Sequence, residues 1–184
     1  MRDVKCLVPL LILAVALCCC PNVDAQYGSE KQETPQLALD ATSSKTVYEQ
    51  GQPVEIDFTL RNIGRRELVV ARWLRLTTNI ALDISGDGGK SAQWCGRIAE
   101  TIDSERSYTI LEPGKSVHAK LTVSCINGEI KNRAWGFAFD GPGQYIIKAK
   151  YRLPRPREHY KQLFPNFDII RGPILAKPLK IELK

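Results

Sequence analysis

The chain has 184 residues and a formal net charge of +6. That length supports one domain with a sizeable core rather than several. Two histidines leave little for zinc binding or imidazole catalysis, and the basic balance either simply keeps the chain soluble or favours acidic partners: anionic polysaccharide, a membrane surface or an acidic protein patch.

At the amino terminus Arg2 and Lys5 form a basic head, and the apolar run Cys6 to Cys20 follows it. A polar break at Pro21-Asn22 leads to Val23-Asp24-Ala25. This is the pattern of a secretory signal peptide at 1–25, with Ala25 the expected last residue removed. The apolar run is about 15 residues, short of the roughly 20 that span a bilayer. A retained anchor and lipid attachment at Cys18, Cys19 or Cys20 are the alternatives; Leu17 is not the small residue that lipid attachment prefers.

Cleavage would remove Arg2 and Lys5 with Asp3 and Asp24, so the charge of the remainder is unchanged. It would also remove four cysteines, leaving Cys95 and Cys125. In an oxidising compartment that pair is expected to be a disulfide. A catalytic or metal-binding thiol would need a CxxC or a suitably spaced histidine, and neither is present. The sequence thus predicts a secreted protein, periplasmic or extracellular, with no stable membrane insertion after signal removal. Nucleic acid is not an expected partner, because an exported protein seldom meets it.

Residues 26–36 are polar and aperiodic and read as a flexible leader. From Leu37 to Lys184 the dominant pattern is alternation. Val54, Ile56, Phe58 and Leu60 share one face of a strand, and Asn62-Ile63-Gly64 supplies a turn. In ELVVARWLRL, Val69, Ala71 and Trp73 are expected on a common buried face. Val117, Ala119, Leu121 and Val123 alternate with His118, Lys120 and Thr122; Tyr145, Ile147, Ala149 and Tyr151 repeat the pattern, and so do Leu179, Ile181 and Leu183. Weaker strands fall at Leu37 to Thr42 and Ile80 to Ser85. No stretch shows capped helical periodicity; the nearest, Cys95 to Ser104, is short and broken by polar residues. Seven or eight short strands with Gly/Pro turns and no helix predict an all-β antiparallel sandwich. An open barrel is the competing architecture. Tyr145, starting a strand after Gly143, suits a tyrosine corner.

Two connections are long. Residues 86–108 are expected to fold over one end of the sandwich. Residues 153–178 interrupt the last hairpin and hold five prolines, which excludes a regular central strand. Around this loop lie Arg152, Arg155, Arg157, Lys161 and Arg171, interleaved with Tyr160, Phe164 and Phe167. Arg and aromatic residues on a proline-stiffened loop are the composition of binding hot spots. Two readings stand: the loop recognises a partner, or its aromatics fold back over the sandwich edge.

Other motifs fail on spacing. Gly89-Lys90-Ser91 would be a phosphate loop only with glycine at position 84, which is Ile84, and with a helix after it. His118 and His159 lie outside any HExxH, and no GxSxG is present. Asp83 with Asp87, or Asp103 with Glu105, are the pairs that acid/base glycan chemistry would use, and Asp83 with Asp87 would serve calcium. Acidic residues in loops are ordinarily solvated, so no cofactor and no metal are expected.

The segments VYEQGQPVEIDFTLRNIG, YTILEPGKSVHAKLTVS and GPGQYIIKAKYR together resemble immunoglobulin-like sandwich domains of exported proteins. More narrowly, they resemble the amino-terminal inhibitory domain that precedes the catalytic domain of deuterolysin-type metalloendopeptidases. The resemblance covers roughly residues 37–151 and implies an immunoglobulin-like sandwich. HExxH is absent, so protease activity does not carry over, and no reactive motif aligns from which inhibitory residues transfer. Pro53 to Leu60 contains no cysteine, so the intersheet disulfide of antibody domains is missing. The sequence reading is therefore a secreted, non-enzymatic binding module presenting the 153–178 loop, with a protease inhibitor-like domain and a carboxylate-dependent glycan enzyme as alternatives. No pattern in the sequence sets an oligomeric state.

Overall fold

The computed structural model describes residues 36–96, 104–125 and 136–184. The signal segment 1–25, the leader up to residue 35 and Asp103 lie outside the described residues. Strands β1 (Leu37–Thr42), β2 (Val47–Tyr48), β3 (Glu55–Asn62) and β4 (Leu68–Ala71) come first. They are followed by β5 (Ile80–Gly86), β6 (Ala92–Trp94), β7 (Tyr108–Leu111), β8 (Ser116–Thr122), β9 (Phe137–Phe139) and β10 (Gly143–Tyr151). The helix α1 (Arg157–Leu163), then β11 (Asp168–Ile169), β12 (Ile174–Leu175) and β13 (Leu179–Leu183), follow. Eight of these strands run four residues or more, against the seven or eight expected, and β7 is the one no alternating segment had marked; the other five are two- or three-residue additions.

The fold is an all-β sandwich. In one sheet β3 lies between β1 and β8, antiparallel to both. In the other, β10 is the spine: Tyr145 to Tyr151 pair with β5 on one side, while β13 and then β12 take the other. Thus β10 and β13 do form the last hairpin, and residues 152–178 are an excursion from it. Two two-residue pairings, β13 with β2 and β11 with β4, are parallel. Both join segments far apart in sequence, where no tight turn dictates direction. Among the described residues no helix is long and apolar enough to cross a membrane.

Between the sheets, Ile56, Phe58 and Leu60 of β3 meet Tyr145, Ile147, Ala149 and Tyr151 of β10, all buried. Every second residue is inside because successive strand side chains point to opposite faces. Val117, Ala119 and Leu121 of β8 pack on the same core, half-buried at the sheet edge. The Tyr145 hydroxyl donates to the Gly141 carbonyl at 2.7 Å, which is the expected tyrosine corner.

Strand β4 departs from alternation: all four of its residues are buried. Leu68, Val70 and Ala71 belong to the main core, whereas Val69 joins a second cluster with Tyr108, Tyr160, Phe164 and Ile169. A strand covered on both faces reads as a continuous apolar run. The expected common face of Val69, Ala71 and Trp73 is therefore corrected. Trp73 is 51% exposed, and Leu74 takes the core position instead. The strand ends at Ala71, and buried Asn79 gathers the next turn: it accepts from Arg75 N–H and donates to the Trp73 carbonyl, both at 2.9 Å. That turn breaks the two-residue phase. The Trp73 ring sits with the Arg72 and Arg75 guanidinium carbons 5.7 and 5.5 Å from its centroid.

The expectation of no helix is also corrected, by α1. At seven residues it spans two turns, too few to display helical periodicity. Pro156 stands at its N-cap, where a missing N–H costs nothing, and Tyr160 and Phe164 fall one turn apart on the buried side.

In the 86–108 connection, Gly89-Lys90-Ser91 leaves a 3-10 turn (Asp87–Gly89), not a phosphate loop. Strand β6 pairs with β9, and Cys95 bonds to Cys125 with 6.7 Å between Cα atoms.

Candidate functional site

The excursion 152–178 packs as a cover on the outer face of the β4–β7 pair. Tyr160 is fully buried, its ring edge-on to Tyr108 with centroids 5.0 Å apart. Its hydroxyl accepts from the Arg155 N–H at 2.9 Å. Phe164 packs beside it and Phe167 half-buries against the same cluster. These three aromatics were candidates for partner contact; they fold back on the sandwich, Tyr160 and Phe164 within the buried cluster and Phe167 packed against it.

With the aromatics inward, the cations surround a groove of about 700 Å³ between the outgoing and returning limbs. Lys150, Arg152 and Leu153 line the outgoing limb; Arg155, Arg157 and Tyr160 the helical end; Ile169 to Pro173, including Arg171, the return. Among the described residues no carboxylate lines it. Asp168, the nearest acid in the returning limb, instead pairs with Arg66 at 3.5 Å. The groove thus concentrates positive charge beside aliphatic surface, in the size range of ligand sites.

The walls are held by backbone. Arg152 N–H donates to the Asn79 carbonyl at 2.9 Å, and Pro154 and Pro156 fix the chain on either side of Arg155. Arg157 is half-buried, and its Nε has no hydrogen-bond partner among the described residues. A buried guanidinium nitrogen without an acceptor is costly.

Of the sequence candidates, Arg152, Arg155, Arg157 and Arg171 come together here. Lys161 is exposed on α1 but does not line the groove. Lys150 was missed, because as an outward residue of β10 it looks like ordinary surface alternation. The signal for it was its place one turn of the strand before Arg152, on the same face.

The remaining candidates do not converge. Asp83 and Asp87 are exposed on β5 and the turn after it, and Glu105 is exposed before β7. His118 lies on the exposed face of β8, its Nδ1 2.9 Å from Thr59 Oγ1 and its Nε2 2.7 Å from Ser116 Oγ. His159 packs its ring against Tyr160 on α1. Among the described residues no three His, Cys, Asp or Glu side chains gather as metal ligands. No protein-family model matches the chain, and no curated protein sequence matches it.

Proposed function

We propose that the chain is an exported, non-enzymatic binding module of immunoglobulin-like kind that holds an acidic partner in the groove of the 152–178 excursion. One observation carries the reading: five cations line one concave surface that, among the described residues, no carboxylate lines. Guanidinium groups bind carboxylate, sulfate and phosphate through paired N–H donors, so such a surface selects oxyanions. Export rests on the signal-like amino terminus and on the Cys95–Cys125 bond, which suits an oxidising compartment.

Binding of short polyanions at low and raised salt tests this. Arg152→Ala with Arg157→Ala is expected to weaken binding about tenfold or more. Lys115→Ala with Lys120→Ala removes equal charge beside and on β8 and is expected to leave affinity nearly intact. Equal losses from both pairs would mean that net charge, not the groove, attracts the partner.

A further inference from the structure

We infer that the groove's occupant is an extended peptide segment of a partner protein in which carboxylates alternate with aliphatic side chains. This rests on the reading of the groove as an acidic-partner site and names the partner's chemistry. The cations do not stand alone: Leu153 on one limb and Ile170 and Pro173 on the other place aliphatic surface between them. A ligand that satisfied only the charges would leave that surface wet. A strand-like peptide sends neighbouring side chains to opposite sides, so acidic residues can meet one part of the wall and aliphatic residues another.

An acidic polysaccharide fits less well. A sulfated sugar would use the same cations, but it would leave the aliphatic wall unused and would find no open aromatic face to stack on. Among the described residues the one aromatic lining the groove, Tyr160, is fully buried with its ring on Tyr108 and its hydroxyl on the Arg155 N–H. Trp73, the exposed aromatic, does not line the groove and already carries two guanidinium groups near its ring.

The test uses the intact, disulfide-bonded protein and three probes of equal charge, read by calorimetry. These are a short peptide alternating Glu with Leu, the same peptide with Ser replacing Leu, and a sulfated oligosaccharide. The Glu/Leu peptide is expected to bind about tenfold tighter than the Glu/Ser peptide, the effect of burying one aliphatic side chain. Changing the peptide rather than the protein keeps folding out of the comparison. Equal affinity for the two peptides, or tighter binding of the oligosaccharide, overturns the peptide assignment while leaving an anion site in the groove. Binding of none of the three overturns the site itself.

Discussion

Tyr160 joins the fold to the groove, so Tyr160→Ala is the sharpest perturbation. The side chain is fully buried and central to a cluster of five buried residues, apart from the main core. Truncating a buried aromatic to alanine costs about 3 to 5 kcal/mol. A seven-residue helix cannot stand without its packing, so the cost falls on the excursion and not on the sheets. Amide hydrogen exchange reads this directly. Amides within 155–170 are expected to exchange about two to three orders of magnitude faster, while those of β3 and β10 keep their protection. Tyr160→Phe keeps the ring and loses the acceptor for the Arg155 N–H together with the 3.3 Å hydroxyl contact to Tyr108, at about 1 to 2 kcal/mol. The reasoning is refuted if the alanine variant leaves 155–170 protected, or loosens β3 and β10 to the same degree.

Three further outcomes follow from the geometry. Replacing Cys95 and Cys125 together by Ser opens a 30-residue separation and is expected to cost roughly 3 to 4 kcal/mol in denaturant titration; a loss below about 1 kcal/mol would contradict it. A Cβ at Gly136 would lie 2.6 Å from the Ser124 carbonyl carbon and 2.9 Å from Cys125 N, backbone that cannot swing away. Gly136→Ala is therefore expected to cost about 1 to 3 kcal/mol, and a neutral variant would deny that close approach. Burial holds the Tyr151 hydroxyl above its ordinary range, with the hydrogen bond from Ala71 N–H acting the other way. As pH rises past about 10 the unfolded chain gives up this proton first, so stability is full below that pH and falls above it. Tyr151→Phe should flatten the alkaline fall; an identical slope in stability measured up to about pH 11 would exclude Tyr151 as its source.

The sheets were readable because each sandwich strand is wet on one side. Ile56, Phe58 and Leu60, and Tyr145 through Tyr151, announce their faces by alternation, and a hydroxyl cap for Tyr145 follows from its place after a glycine turn. Alternation fails where a strand is dry on both sides, as β4 is, and where a buried side chain such as Asn79 re-forms the chain as a turn and exposes Trp73. The excursion was recognisable as special from its prolines and arginines. Its helix was not: the two-turn element holds only Tyr160 and Leu163 of the apolar set Tyr160, Leu163, Phe164 and Phe167, and the rest lies past its end. Which of Arg and aromatic faced outward depended on that helix. Arg152, Arg155 and Arg171 stayed at the surface because their charge resists burial, and the aromatics went under because the outer face of the β4–β7 pair offered Val69 and Tyr108 as partners.

Backbone NMR of the protein titrated with the Glu/Leu peptide tests the central claim most directly. Shift changes centred on 150–157 and 169–173, absent from β8 and from the disulfide end, are what a groove between the two limbs requires. Changes centred on any other surface, with those two segments silent, would place the partner elsewhere and remove the groove from the function.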